Sequence, residues 1–289
     1  APVFMPVRGL TTVLTALQRV VVVVRRVFSL LDEPEDIASG GVSLSGIRGK
    51  IRFAGVTFGY PKQTQPALRE VDFKVEAGEH VAVMGPSGAG KSTLFSLLMR
   101  FYDPGQGEVR VGGVNLADAD PGSIRRHVCM VQQEPQVFSG TIAENILYGR
   151  FESTPTEVMA AARQAELHEF IMTLPDKYET DIGEGGVTLS GGQKQRLSLA
   201  TALLTQPEIL LLDDTTSALD ARTEARIRAT LAKALEGRTS LIITQRVATA
   251  RECDRIIVLE KGRITQMGSH EELSTQEGFY RNTSEQQEL

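Results

Sequence analysis

The sequence predicts an α/β fold in which buried parallel strands bring side chains to one edge of a sheet. Residues 208–213 read Glu-Ile-Leu-Leu-Leu-Asp, an apolar run that ends abruptly in a carboxylate. A parallel strand with both faces covered has this composition, and its carboxyl end is where ligands of such sheets bind. A second β-rich run, residues 80–84, leads directly into the glycine-rich segment 85–92. Together the two segments predict a nucleotide site at that edge.

Composition limits the class of protein. The chain has 289 residues, of which 41% are hydrophobic and 23% charged, and its mean hydropathy of −0.10 is typical of a soluble globular protein with ample core. The net charge of −5 argues against a nucleic-acid partner held by bulk electrostatics. The cysteines, Cys129 and Cys253, lack metal-ligand spacing, so we expect a reducing compartment and no zinc site.

The N-terminal segment, assigned to residues 1–31, has two interpretations. Residues 7–31 have helical composition and contain a block of valines, Val20–Val24, with arginines on both sides. No uninterrupted apolar run reaches 18 residues and no small-residue cleavage site follows, so neither a complete membrane span nor a signal peptide is predicted. One interpretation is an amphipathic packing helix. The other is the cytoplasmic end of a membrane helix from a longer protein, where basic residues are favoured.

A polar, Gly/Ser-rich linker over residues 32–50 precedes a region of alternating element types. Short β-rich runs punctuated by Gly and Pro predict strands at Ile51–Phe58, Val71–Val75, His80–Met84, Glu108–Val111, Ile209–Leu212, Thr239–Thr244 and Arg255–Leu259. Helical spacing predicts helices at Thr93–Phe101, Thr156–Leu174 and Lys194–Leu204. This order predicts a β-rich N-terminal subdomain, an α/β core and a helical block inserted at about residues 136–205.

The segment Gly85-Pro-Ser-Gly-Ala-Gly-Lys-Ser92 matches the P-loop pattern. It lies after a predicted strand and opens a predicted helix, as that pattern requires. Glycines let backbone N–H groups turn inward around phosphate oxygens. Lys91 is expected to reach the β- and γ-phosphates of ATP, and Ser92 to bind Mg²⁺. The residues expected to bind ATP here are Gly85, Pro86, Ser87, Gly88, Ala89, Gly90, Lys91, Ser92 and Thr93.

Two further segments add to this site. Asp213 ends the apolar strand and is expected to hold Mg²⁺ through water. The segment Leu189-Ser-Gly-Gly-Gln193 leads into the predicted helix Lys194–Leu204 and creates a second helix N-terminus with free N–H groups, which favours an anion. Two phosphate-binding helix starts in one chain are not expected to serve the same nucleotide.

These motifs, in this order, resemble the nucleotide-binding domain of ABC transporters over about residues 51–283. The resemblance rests on the phosphate loop 85–92, the Gln loop around Gln133, the signature 189–193, the carboxylate strand 209–214 and the turn Ser217-Ala-Leu-Asp220. It implies a P-loop NTPase (RecA-like) core with an N-terminal antiparallel β-subdomain and an inserted α-helical subdomain. It also implies ATP and Mg²⁺ as cofactors.

The resemblance assigns a role to each motif. Tyr60 fits the aromatic residue that stacks on adenine, and Ser92, Gln133 and Asp213 fit the Mg²⁺ ligands. In the family, two such domains pair head to tail, so that one chain's signature completes the site around its partner's ATP. The signature residues are Leu189, Ser190, Gly191, Gly192 and Gln193, and those of the dimer turn include Ser217 and Asp220.

Three segments look like exporter-type members of the family. Two are Phe138–Ile146 and Asp181–Gly186, and the third, residues 26–34, is similar to the stretch that joins the last membrane helix to the ATPase domain. The resemblance therefore implies an exporter whose transmembrane domain lies outside this sequence. It places the chain at the cytoplasmic face of the plasma (inner) membrane, with residues 284–289 as a C-terminal tail.

The chain departs from the family at two catalytic positions. Asp214 occupies the place of a Glu that orients the attacking water, and the shorter side chain withdraws the carboxylate by roughly 1 Å, which can cost on the order of 100-fold in rate. Gln245 occupies the place of a switch His, and an amide can donate a hydrogen bond but cannot carry charge. Gly185 and Thr201 also replace arginines common in exporters. The pattern resembles the degenerate half of a heterodimeric ABC exporter.

Three functions are compatible with these observations. The first is an ATP-binding subunit that hydrolyses poorly by itself and pairs with a second ABC half-transporter chain, a heterodimer being favoured over a homodimer. The second is an active homodimeric exporter ATPase that tolerates Asp214. The third is a non-transport ABC ATPase acting on DNA or ribosomes, which the absence of a coiled-coil or zinc insert between Lys91 and Leu189 disfavours.

Overall fold

The computed structural model describes residues 4–31, 37, 41–47, 49–61, 63–183, 188–213 and 229–287. These residues fall into two units, 1–38 and 39–289. The first contains the predicted helix, which runs over Phe4–Leu31 (α1), and its valine block is solvent-exposed. Over the described ranges, no helix combines the length and the apolar character needed to cross a membrane.

In the second unit, an antiparallel sheet forms the N-terminal subdomain. Its strand order is β2-β1-β4-β5, with β1 at Ile51–Phe58, β2 at Leu68–Val75, β4 at Gln106–Val111 and β5 at Val114–Asn115. Apolar residues alternate with polar ones along β1 and β2, so one face of each strand is buried. On that face the rings of Phe53 and Phe73 stack with centroids 4.7 Å apart. The predicted antiparallel β-subdomain is confirmed.

The central sheet has the order β12-β11-β3-β10-β9-β6 among the described strands. Its strands are β3 (His80–Met84), β6 (Val128–Val131), β9 (Ile209–Asp213), β10 (Thr239–Ile243), β11 (Arg255–Glu260) and β12 (Arg263–Gly268), and β12 alone pairs antiparallel with its neighbour. The four apolar residues of β9 are fully buried, as a central parallel strand requires. Ile243 of β10 is level with both Val83 and Asp213, so the carboxyl ends of β3, β10 and β9 meet at one edge.

Helices pack around this sheet, and the last of them ends at the last described residue, Gln287. They are α2 (Lys91–Leu98), α3 (Pro121–His127), α8 (residues 229–235), α9 (Val247–Arg251), α10 (His270–Thr275) and α11 (Phe279–Gln287), with a 3₁₀ turn at Leu116–Asp118. The expected start of a C-terminal tail at residue 284 falls inside α11, where Ser284 is buried. The helix is polar in composition, but the fully buried Tyr280 anchors it against the core.

The inserted helical subdomain is confirmed. It consists of α4 (Ile142–Leu147), α5 (Pro155–Gln164), α6 (His168–Met172) and α7 (Gly191–Leu204), with a 3₁₀ turn at Lys177–Glu179 and a two-stranded sheet of β7 (Gly140–Thr141) and β8 (Asp181–Ile182). The single helix predicted over 156–174 is wrong in detail, because Glu166 adopts a left-handed φ of 50° and separates α5 from α6. Similarly, α7 begins at Gly191, three residues before the predicted start, because Ser190 is its N-cap.

Candidate functional site

The phosphate loop connects β3 to α2 at the sheet edge where β9 and β10 also end. Gly90 is the N-cap of α2 and has a φ of 103°, and no side-chain cap closes this helix start. A Cβ added at Gly90 would lie 2.6 Å from the Ala67 carbonyl oxygen, and one at Gly85 would lie 2.0 Å from that of Leu259. Glycine is therefore required at both positions by backbone conformation and by packing.

The Lys91 side chain folds back over this loop. Its Nζ donates hydrogen bonds to the carbonyl oxygens of Gly85 (2.8 Å) and Pro86 (2.9 Å), and the residue is 9% exposed. The ammonium thus lies beside the first turn of α2, where the helix dipole is also positive. A helix N-terminus supplemented by a lysine is suited to bind phosphate.

Ser92 and Asp213 come together from different elements. The Ser92 hydroxyl donates to Asp213 Oδ2 at 3.4 Å, which joins the start of α2 to the end of β9. A hydroxyl and a carboxylate are hard oxygen donors of the kind that Mg²⁺ takes, usually together with substrate phosphates and water. Gln133 borders the same cleft, so the three predicted Mg²⁺ ligands lie around one site and fit the ion.

Tyr60 is fixed by contacts on two sides. Its hydroxyl hydrogen-bonds to the Thr93 hydroxyl at 3.1 Å. Its ring meets Phe58 and Tyr102 edge to face, at centroid distances of 5.0 and 5.2 Å. A half-buried aromatic ring held in this way at the wall of the cleft offers a preformed surface for a planar base.

A cleft of about 370 Å³ gathers most of these residues. Its described lining is Tyr60, Gln63, Ala67, Ser87, Gly88, Gly90, Lys91, Ser92, Thr93, Gln133, Asp213, Ile243 and Gln245. Sequence reasoning missed Gln63, Ala67 and Ile243. The only sequence signal for Gln63 was weak, namely its position three residues after Tyr60. In the structure the two residues lie in one turn, in which the Gln63 N–H donates to the Tyr60 carbonyl oxygen. The predicted residues Asp214, Ser217 and Asp220, and likewise Gly185, lie outside the described residues.

The signature forms a different helix start. The Ser190 Oγ accepts from Gln193 N (3.3 Å), and the Gln193 side chain accepts from Ser190 N (2.7 Å), so α7 begins with a capping box. Leu189 is buried, whereas Ser190 and Gly191 are exposed. None of the described residues that line the cleft comes from 189–193. The two predicted phosphate sites of the chain are therefore separate surfaces.

A buried glutamine links the two motifs through the protein. Gln195, in α7, is 7% exposed, and its Nε2 donates to the Gln133 carbonyl oxygen at 2.8 Å. The helix that carries the signature is thereby tied to the loop that carries a predicted Mg²⁺ ligand. Sequence reasoning missed this residue, since helical spacing does not reveal which loop a buried polar side chain will meet.

Comparison with known proteins agrees with these motifs. Residues 68–217 match the family described as ABC transporter. The chain is 42% identical over 277 residues to the ATP-dependent lipid A-core flippase of Chromobacterium violaceum, covering 96% of this chain and 47% of that protein. It is 43% identical over 244 residues to ABC transporter B family member 14 of Arabidopsis thaliana, covering 84% and 20%.

Among solved structures, a bacterial Atm1-family ABC exporter with ATP bound matches with a TM-score of 0.86 and 38% identity. The match covers 99% of this chain and 51% of that chain. The chain thus spans about half the length of the flippase relatives it matches.

Proposed function

The chain belongs to the ABC transporter family as an exporter-type ATP-binding domain, and from this premise we propose that it binds Mg²⁺-ATP in the cleft, pairs with a second ABC domain and drives export. The observation that carries the proposal is the convergence of Lys91, Ser92 and Asp213 at the start of α2. When bound there, Mg²⁺ would neutralise charge on the β- and γ-phosphates.

Each cleft residue has a task that its position supports. Lys91 binds phosphate oxygens together with the N–H groups at the start of α2. Tyr60 orients the nucleotide by stacking against the base. Ser92, Gln133 and Asp213 would hold the metal at the end of β9, and Gln245, which follows the neighbouring strand β10, lines the cleft.

We propose further that this site hydrolyses ATP slowly. Gln245 borders the cleft and can donate a hydrogen bond to a phosphate, but it cannot carry the positive charge of a protonated His. Asp214 directly follows the metal ligand Asp213 and is one methylene shorter than a Glu. A chain with two such changes is best suited to a heterodimer in which Ser190 and its neighbours complete the partner's faster site.

The same proposal places the chain at a membrane. The flippase relatives are about twice as long as this chain, and the matched exporter chain is also longer. We infer that a transmembrane domain belongs to the complete transporter and that this domain works on its cytoplasmic face. The net charge of −5 gives no support to a nucleic-acid partner.

Binding and turnover of the 289-residue chain test the proposal. Isothermal titration should give a dissociation constant for Mg²⁺-ATP in about the micromolar-to-millimolar range. Steady-state turnover should lie far below the roughly 1–1000 s⁻¹ typical of enzymes. No binding at millimolar ATP would overturn the ATP site itself. Binding with fast turnover would overturn only the slow-site assignment and favour an active homodimer.

A further inference from the structure

The last described residue of α11, Gln287, reaches the chain just beyond β10. Its Nε2 donates to the Gln245 carbonyl oxygen at 2.7 Å, and its Oε1 accepts from Val247 N at 2.8 Å. The Gln287 amide therefore bonds to backbone groups on both sides of Arg246, the Gln245 carbonyl oxygen and the Val247 N–H. Gln287 is 40 residues from Val247 and 42 from Gln245 in the sequence, so these are tertiary contacts.

One of these bonds supplies an acceptor at a helix start. Helix α9 begins at Val247, and the side chain of its N-cap residue, Arg246, makes no capping bond. The Arg246 N–H is satisfied by the Thr244 hydroxyl at 3.0 Å. The Val247 N–H takes its acceptor from Gln287 instead. The first N–H groups of a helix have no intrahelical partner, so Gln287 performs from a distant helix the task of a cap.

The helix that carries this amide is anchored in the core. Tyr280, two turns earlier in α11, is fully buried in one cluster with Met84 and Val247. Its hydroxyl lies 2.8 Å from His270 Nδ1, which joins α11 to α10. Ser284, one turn after Tyr280, is buried as well. The C-terminal helix is thus held against the strand that leads into the phosphate loop.

We propose that Gln287 is a positioning residue for the nucleotide site and acts through Gln245. Gln245 borders the cleft that also contains Lys91 and Asp213, so the backbone that Gln287 holds determines how the Gln245 side chain meets the terminal phosphate. The inference rests on the proposed ATP site. It predicts that loss of the two bonds impairs binding of a nucleotide with a γ-phosphate more than binding of one without it.

The test is the ratio of ATP to ADP affinity in the 289-residue chain, measured by titration with the Mg²⁺ complexes. Gln287→Met keeps the length of the side chain and removes both hydrogen bonds. We expect this ratio to fall about three- to tenfold, in line with the loss of two modest hydrogen bonds near the surface. Gln286→Met, an exposed neighbour on the same helix, is the matched control and should leave the ratio unchanged.

Two further measurements separate positioning from mere stability. In a Gln245→Ala background, Gln287→Met should no longer change the ratio, because the residue through which it acts is gone. Gln287→Glu keeps an acceptor for the Val247 N–H but faces the Gln245 carbonyl oxygen with a carboxylate. It should preserve slow hydrogen exchange at Val247 while still lowering the ratio, whereas Gln287→Met should speed that exchange.

A fall in melting temperature with an unchanged ATP-to-ADP ratio would overturn the proposal. So would an undiminished effect of Gln287→Met in the Gln245→Ala background. Failure of the unmodified chain to bind either nucleotide would count against the ATP site, which is a separate outcome.

Discussion

Helices α2 and α7 both have glycine at or next to their first residue and both are predicted to face phosphate, yet their N-termini are built differently. The N-cap of α2 is Gly90 in a left-handed conformation, with no side-chain cap. The N-cap of α7 is Ser190, closed by a capping box with Gln193. At α2 the uncapped N–H groups, together with Lys91, line a cleft within the chain. At α7 the capping box bonds the N–H groups of Ser190 and Gln193, and Ser190 and Gly191 are exposed residues.

This difference is the one expected if, as proposed, the two helix starts serve different nucleotides. A loop that must wrap a ligand leaves its N–H groups without side-chain partners and relies on the ligand to satisfy them. A helix start that has to hold its shape before a ligand arrives benefits from its own cap. The α7 terminus therefore has the properties expected of a preformed surface that is offered to another chain.

The largest effect is expected from a negative charge placed at the N-cap of α7 without loss of the cap. Asp is as good an N-cap as Ser, so Ser190→Asp should leave α7 folded while repelling a partner's γ-phosphate. In the assembled transporter we expect steady-state ATPase activity to fall on the order of 100-fold, as when one transition-state donor is removed. The isolated chain should bind ATP as before.

Ser190→Asn is the control, since it caps without adding charge and should cost much less activity. A silent Ser190→Asp combined with a Lys91→Ala variant that eliminates turnover would reverse the assignment and place the working site in this chain. Equal loss from both changes would indicate a homodimer with two identical sites.

The residues that follow β9 and β10, Asp214 and Gln245, test the proposal that this site is slow. Asp214→Glu with Gln245→His restores both groups that the family uses, and should raise the slow hydrolysis of the isolated 289-residue chain by up to about 100-fold, because the partner's faster site is absent from that assay. The double change should exceed the product of the two single effects, because the two groups act on one reacting phosphate. Initial rates of phosphate release measure this. Independent or absent effects would argue that these positions do not form a unit.

A smaller effect, on ATP affinity, is expected from removing Lys91 at the start of α2, with Lys194 at the start of α7 as the control. Lys91→Ala removes charge-assisted hydrogen bonds to phosphate, and should weaken Mg²⁺-ATP binding by the isolated chain about 10- to 100-fold. Lys194→Ala, in the first turn of α7, should leave this affinity unchanged. The dissociation constants of both variants, measured by titration, test the point. A comparable loss from Lys194→Ala would mean that both helix starts serve one nucleotide.

The sequence predicted those parts of the site that are local in the chain. Residues 85–92 have a fixed spacing, and positions such as Gly90 are specified by a backbone conformation that glycine favours. Four of the six described central strands, β3, β9, β10 and β11, were predicted nearly to their ends, because buried parallel strands have continuous apolar runs, whereas β6 and β12 were not predicted. The segment 189–193 was also predicted to open a helix, although its capping box makes α7 begin three residues before the predicted start.

The parts that the sequence did not predict depend on contacts between distant elements. Gln195 meets the Gln133 carbonyl oxygen 62 residues away, and Gln287 meets Val247 40 residues away. Periodicity identifies the buried face of an element but not the element that covers it. The break at Glu166 was missed for a local reason, since a left-handed conformation at a residue other than Gly or Asn has no signal in composition.

The smallest effect that we predict concerns the third residue of each helix. In α2 this residue, Thr93, bonds to the Tyr60 hydroxyl, whereas in α7 it is Gln193, which turns back to the N-cap. Tyr60→Phe removes that bond but keeps the ring, which Phe58 and Tyr102 still hold. Because one modest hydrogen bond is lost, ATP affinity of the isolated chain should fall about two- to tenfold with little change in melting temperature.

Gln193→Ala should do the reverse. It opens the capping box and lowers the melting temperature, as cap losses of about 1 kcal/mol do, but leaves ATP affinity of the isolated chain unaltered. Calorimetry and titration on the two variants form one experiment. If Tyr60→Phe lowered only stability, or Gln193→Ala weakened ATP binding, the third position would have the same role in both helices. The distinction between a ligand-completed and a self-capped helix start would then be wrong at that position.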